Sequence, residues 1–238
     1  MSRHWVIPDI HGCYKTMKTL VEDKIQPSGD DTITFLGDYV DRGPSSKRVI
    51  DYIMKLQKGP AKINCLRGNH EEYMIEVFEV DNIRPQLFSF KYKSKMKFWK
   101  SIGGGATLKS FGVKRARQIS QKYINWLKSL DYYLVTENHV IVHAGLNFNI
   151  EDPFSDKEAM LILRDFEVDS EKIGGKVIIH GHVPLSLDFI KSTIENPKSK
   201  YISLDNGCYR RSNPNMGNLL ALEINTKELL IQRNIDLI

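Results

Sequence analysis

The chain has 238 residues, 41% of them hydrophobic and 26% charged, with a net charge of +5. This length and composition fit a single globular domain with a sizeable core, and no apolar run approaches the length needed to cross a bilayer. Three widely separated cysteines without a C-x-x-C pair argue against a zinc knuckle or a disulfide framework, and an N-terminus with only a short apolar stretch is expected of a cytoplasmic protein rather than one with a leader.

In chain order, short β-branched runs at Val6-Ile7, Thr32–Leu36, Lys62–Leu66, Val140–Val142 and Val177–Ile179 predict strands. Apolar stripes at Tyr14, Met17, Leu20 and Val21, and at Val49, Ile50, Ile53, Met54 and Leu56, predict helices after the first two. This alternation predicts an α/β fold with parallel pairing, in which chemistry collects at the carboxyl ends of strands. Residues 80–130 interrupt the pattern with Trp99, a Gly103-Gly104-Gly105 bend and a helix expected near 118–130, and predict an inserted helical cap within one domain spanning 1–238. After residue 200, Tyr201–Leu204, Leu219–Ile224 and Leu229–Ile231 read as strands, with a hairpin turn at Asn225-Thr226-Lys227. They predict a terminal antiparallel section completing a second sheet.

The net charge is local. Residues 91–130 carry eleven Lys or Arg and no acid, leaving 23 basic and 29 acidic residues elsewhere, a net of −6. A solvated face and the steering of an anionic substrate both fit this segment; its interleaved aromatics suit nucleotides, and its charge suits acidic phosphopeptides.

Chemistry-bearing residues recur at strand ends: Asp9-Ile10-His11-Gly12, Gly37-Asp38-x-x-Asp41-Arg42-Gly43, Gly68-Asn69-His70-Glu71, His143-Ala144-Gly145 and Gly181-His182. Oxygen and imidazole ligands in this number suit a pair of divalent ions sharing one carboxylate. Asp9 and His11, two apart, can grip one ion; Asp38 can bridge; Asn69, His143 and His182 can complete the second. His70, beside Asn69, is placed to protonate a leaving oxygen, with Asp41 orienting it. Arg42 offers a fork for phosphate oxygens and Arg164 a second. Glu71 is expected at a helix N-terminus. His4 and His139 are expected as plain strand-end residues, and His180 as a candidate support for His182.

In these motifs the chain resembles the calcineurin-like metallophosphoesterases, and within them the phosphoprotein phosphatases of the bacterial and phage lambda type. The resemblance covers residues 5–184 well and Leu204-Asp205-Asn206-Gly207-Cys208 moderately. It implies a β-sandwich of two mixed sheets flanked by helices. It implies one ion on Asp9, His11 and Asp38, the other on Asp38, Asn69, His143 and His182, with manganese, or an iron–zinc pair, as the usual metals. It further implies Asp41–His70 as an acid dyad and Arg42 and Arg164 on the phosphate. Pro8 departs from the family, which has glycine before the first aspartate.

The first reading is a serine/threonine protein phosphatase acting on phosphoproteins or phosphopeptides, with a metal-bridging hydroxide attacking phosphorus directly. The alternative is a dinucleoside polyphosphate hydrolase or RNA 5′-end pyrophosphatase acting on nucleotides. Bacterial symmetric tetraphosphatases, which the chain also resembles, often carry alanine where Asp41 stands here. A non-catalytic phosphate-binding scaffold is the third reading, opposed by the complete set of ligands together with His70.

Overall fold

A computed structural model describes residues 2–83 and 89–236; residues 84–88 of the expected insertion lie outside it. The predicted strands form β1 (His4–Ile7), β2 (Thr32–Phe35), β3 (Lys62–Cys65), β5 (His139–Val142), β6 (Val177–His180), β7 (Tyr201–Ser203), β8 (Asn218–Glu223) and β9 (Leu229–Arg233). The sequence pattern misses β4 (Tyr133–Val135), a three-residue strand at a sheet edge whose side chains are largely exposed and so carry no alternation.

Two mixed sheets result, ordered β3-β2-β1-β8-β9 and β4-β5-β6-β7. Strands β1 to β3 are parallel, as are β5 to β7, while β4 and the β8–β9 hairpin run antiparallel. One expectation is corrected here. The C-terminal hairpin, turned at Asn225-Thr226-Lys227 with Lys227 at φ 61°, joins the first sheet through β1, and only β7 enters the second, in parallel. Strand β8, apolar on both faces over Leu219–Leu222, pairs along the edge of β1.

Side-chain alternation along each strand divides the core into layers. Val6, Leu220 and Leu222 from the first sheet meet Ile141, Ile179 and Ile202 from the second, forming the centre of the sandwich. The opposite parity, Trp5, Ile7, Ile33, Phe35, Leu219 and Ala221, packs beneath helices on the outer face. Val140, Val142 and Ile178 form the outer face of the second sheet, under Leu146, Met160 and Val168.

Helix α1 (Tyr14–Thr19) continues into a π-helical turn over Leu20–Ile25, and α2 (Ser46–Leu56) and α3 (Asn69–Asn82) follow β2 and β3. Next come α4 (Ser89–Ser101), α5 (Gly104–Phe111) and α6 (Gln121–Lys128), broken at the glycine bend as expected. They pack on α2 and α3. The second sheet carries α7 (Lys157–Ile162) and α8 (Leu187–Glu195). No helix among the described residues is long and apolar enough to cross a membrane.

Among the described residues, three of the eleven cations in the basic segment have an acidic partner within the fold. Lys95 pairs with Glu76, Lys128 with Glu79 and Arg115 with Asp81, so three cations lie along the acidic face of α3. The three cysteines are free and buried.

At the opposite ends of the strands from the motifs, His4 donates or accepts a 2.8 Å bond with the Thr34 hydroxyl. Burial, aided by His139 and Lys62, lowers its pKa to about 4. In the unfolded chain the ordinary value is near 6.5, so between about pH 6.5 and 4 the unfolded state binds the extra proton and stability falls with pH. His4→Gln is expected to flatten the decline of Tm across this interval, measured by thermal unfolding in pH steps.

Candidate metal centre

Every motif loop leaves the carboxyl end of a strand: β1 for Asp9 and His11, β2 for Asp38, Asp41 and Arg42, β3 for Asn69 and His70, β5 for His143, β6 for His182. Five strands from the two sheets thus deliver their loops to one end of the sandwich. The loops are sharply bent there. His11, Asp38, Asp41, Arg42 and His182 all have φ between 47° and 70°, a region costing an L-residue on the order of 1–3 kcal/mol. Gly37, at φ 111°, permits a close backbone approach, since a Cβ there would lie 2.5 Å from Gly68 N.

Glu71 ties these loops together. Its carboxylate accepts from Asp38 N (2.7 Å), Tyr39 N (2.8 Å), Val40 N (3.3 Å) and Gly68 N (2.9 Å). Burial and the neighbouring Asp38 charge raise its pKa, while the N–H groups draw it back down. The expected helix N-terminal role holds through Gly68, and the bonds to residues 38–40 extend it to the end of a second strand.

Asp38 sits at the centre. Burial alone would raise its carboxyl, but attraction to the neighbouring His70 holds it well below the usual range. His11 Nε2 lies 3.4 Å from Asp38 Oδ2, and His143 Nε2 lies 3.6 Å from Asp38 Oδ1. The tautomers follow from the outer nitrogens. His11 Nδ1 donates to Val40 O at 2.9 Å and His143 Nδ1 to Leu36 O at 3.0 Å, so both Nε2 lone pairs face inward. Burial lowers the pKa of His11, His143 and His182, the last to about 3, which keeps all three neutral.

This arrangement fits cations. His143 Nε2, Asn69 Oδ1 (3.1 Å away) and Asp38 Oδ1 converge as acceptors with no hydrogen between the imidazole and the amide oxygen. Asp9 Oδ2, His182 Nε2 and Asp205 Oδ2 are buried without any partner. Lone pairs gathered this way are costly unless a cation satisfies them. Among the described residues, two triads have ligand atoms within 4.8 Å of one another: Asp38, His143 and His182, and His11, Asp38 and His70. Asp9 stands outside the second triad and His70 inside it. Asp9 Oδ1 instead accepts from His182 N at 3.0 Å, and its carboxyl is raised by burial and by Asp205. Asp9 therefore faces both the β6 loop and the loop after β7.

His70 Nδ1 donates to Asp41 Oδ2 at 2.7 Å. Asp41 also accepts from Trp99 Nε1 (2.9 Å) and Thr107 Oγ1 (2.6 Å), and its own N–H reaches Thr107 Oγ1. Burial opposes a charge on His70, but Asp38 and Asp41 raise its pKa above the ordinary value. Arg42 donates to His11 Nε2 (2.7 Å) and His70 Nε2 (3.0 Å). Its guanidinium lies 4.3 Å from the Tyr209 ring, which also meets His11 edge-on at 5.0 Å.

Arg164 is exposed beyond the end of α7, and its charge contributes to the lowered pKa of His182. His180 faces away from the cluster, bonded to Ser203 Oγ at 2.9 Å and packed on Phe166. His4 and His139 lie at the far strand ends. The sequence reading omits Asp205, Tyr209, Thr107 and the indole contact of Trp99. Asp205 lies in a stretch singled out by the resemblance; no local pattern marks the other three.

Residues 2–232 match the family described as calcineurin-like phosphoesterase. The chain belongs to that family. Its members are hydrolases acting on phosphoester bonds and depend on paired metal ions. A symmetrical bis(5′-nucleosyl)-tetraphosphatase of Buchnera aphidicola subsp. Schizaphis graminum is 39% identical over 145 residues, 60% of this chain and 44% of that protein. An asymmetrical bis(5′-nucleosyl)-tetraphosphatase, PrpE, of Bacillus velezensis is 25% identical over 232 residues, covering 85% of this chain and 83% of the relative. The chain spans about half the length of the symmetrical enzymes it matches. A Saccharomyces cerevisiae serine/threonine phosphatase has the same fold, with a TM-score of 0.64 at 16% identity over 100% of this chain and 81% of that one. This metallophosphoesterase fold agrees with the two-sheet sandwich expected above.

Replacing Glu71 with Ala leaves four N–H groups at the centre without their acceptor. Since each unsatisfied buried group costs about 1–3 kcal/mol, a loss of at least about 3 kcal/mol is expected in urea unfolding of the metal-free protein. A change below about 0.5 kcal/mol would show that Glu71 does not clamp the loops.

Proposed function

We propose that the protein is a two-metal hydrolase of dinucleoside polyphosphates. One observation carries the hydrolytic part: unpaired acceptors converge around Asp38, with a cationic fork, Arg42, beside them. The nucleotide part is supported by the tetraphosphatase names of the curated relatives.

Asp9, His11 and Asp38 would hold one divalent ion, and Asp38, Asn69, His143 and His182 the other, with manganese as the first metal to try. Such ions supply Lewis acidity to a phosphate and lower the pKa of an attacking water. The other groups belong to the chain. Arg42, flanked by the Tyr209 ring, presents two N–H donors to non-bridging phosphate oxygens. Arg164, on the side of His182, meets the phosphate chain further along. The oxygen of water forms the new bond to phosphorus as the bond to the leaving phosphate breaks, with no phosphoenzyme. Asp41 holds the Nδ1 hydrogen of His70, so Nε2 is the atom that delivers a proton to the leaving oxygen. Once Nε2 is protonated, Arg42 can no longer donate to it, and the Nη2 arm of its fork is freed for the substrate.

The runner-up is a serine/threonine phosphatase acting on phosphopeptides, favoured by the Asp41–His70 pair. A serine or threonine alkoxide needs a strong proton donor, whereas a nucleotide phosphate leaves as a weak base. The deciding measurement is kcat/KM in manganese for diadenosine tetraphosphate and for a phosphothreonine peptide, with Asp38→Asn as the blank. At least a tenfold preference for the dinucleotide is expected, with activity lost in chelator. A preference for the peptide would install the runner-up, and activity equal to the blank on both would overturn the metal centre. His70→Asn is expected to lower peptide turnover by about 10²–10⁴-fold and dinucleotide turnover by less. Equal losses on the two substrates would contradict a role in leaving-group protonation.

A further inference from the structure

Beyond Arg164 the surface opens into a trough. A recess of about 170 Å³ begins at Arg164 and Asp165 and is walled by Phe166, Phe189 and Tyr201. The same three aromatic residues line a larger cavity of about 900 Å³, which ends at Asn149, Asn196 and Lys198. The two are therefore continuous. Together they run along the outer face of β6 and β7, from the end that carries His182 to the end where Tyr201 begins its strand. Four residues of strand at about 3.3 Å each make this path roughly 13 Å long.

The near wall is fixed to the metal centre. Phe166 stacks against His180 (5.4 Å), Tyr201 (6.3 Å) and Phe148 (6.4 Å). A Cβ on Gly145 would come within 2.5 Å of the Phe166 ring, so the His143-Ala144-Gly145 loop and the trough share a wall. The opposite wall is different. Phe189, in the first turn of α8, is 43% exposed and borders both recesses. Aromatic walls with amide side chains at the far end suit a planar heteroaromatic ring, stacked on its faces and hydrogen-bonded at its edge. Arg164 at the entrance suits an anionic linker leading to it.

We propose that this trough binds the distal nucleoside of a polyphosphate-linked substrate, its base against Phe189 and its phosphate chain over Arg164. The inference rests on the nucleotide reading above and names the residues that would select a nucleoside over a bare polyphosphate.

Two measurements separate this inference from the reading beneath it. The first is the ratio of kcat/KM for diadenosine tetraphosphate to that for inorganic tetraphosphate, in wild type, Phe189→Ala and Phe189→Tyr. Stacking on an aromatic residue is worth about 1–3 kcal/mol per base, so the ratio is expected to fall about tenfold or more in Phe189→Ala and to recover in Phe189→Tyr. An unchanged ratio in an enzyme that does cleave the dinucleotide overturns the trough and leaves the function standing. The second is saturation-transfer NMR of AMP on the full chain in chelator, where turnover plays no part. Transfer to the adenine protons that disappears in Phe189→Ala supports the trough even if the dinucleotide is not a substrate. No transfer, transfer equal in wild type and variant, or transfer only from a phosphothreonine peptide overturns it.

Discussion

One buried carboxylate holds the working end of this molecule in place. Glu71 gathers amides from Asp38, Tyr39, Val40 and Gly68, fixing the ends of β2 and β3 against each other. Asp38 is aimed into the centre by that clamp. The Val40 carbonyl, held by the same loop, takes the His11 Nδ1 hydrogen and so sets which nitrogen faces inward. Asn69 and His70 start the helix whose N-terminus Glu71 closes. Candidate ligand positions on three separate loops therefore depend on one side chain that need not touch metal or substrate.

The clamp has to overcome strain. Among the described residues, five of the seven non-glycine residues with positive φ lie in the motif loops, which turn abruptly so that side chains from parallel strands point to a common spot. Such conformations persist when surrounding bonds over-determine them. The dense hydrogen bonding around Glu71, Asp41 and the carbonyls of Leu36 and Val40 does this. The same rigidity suits the chemistry, because acceptors held apart without hydrogens between them are preorganised for cations.

The helices between β3 and β4 serve the centre from behind. Trp99 and Thr107 reach Asp41 from α4 and α5, and Gly103 O accepts from Arg42 N at 3.3 Å. Their Lys and Arg residues partly neutralise the acidic face of α3. The charge concentration of this segment is thus in part a packing feature, and its proximity to the site comes through Trp99 and Thr107 rather than through lysines.

The sequence alone determined the chemistry and most of the strands. Asp, His and Asn recur with glycine at strand ends, a pattern that suits metal ligation in its side chains and tight turns in its backbone, and both requirements are local. Short β-branched or apolar runs marked β1 to β3 and β5 to β9 for the same reason. Only the tertiary structure decided which sheet the C-terminal hairpin joins, because an edge is chosen by what it must cover. It placed Asp9 apart from the His11–Asp38–His70 group and beside Asp205 and His182, a relation set by how β1, β6 and β7 meet. It brought Trp99, Thr107 and Tyr209 to the dyad and to Arg42 from positions 58, 66 and 167 residues away from Asp41, Asp41 and Arg42 respectively. Contacts of that span leave no period or spacing in the chain, because they form only when separate elements pack.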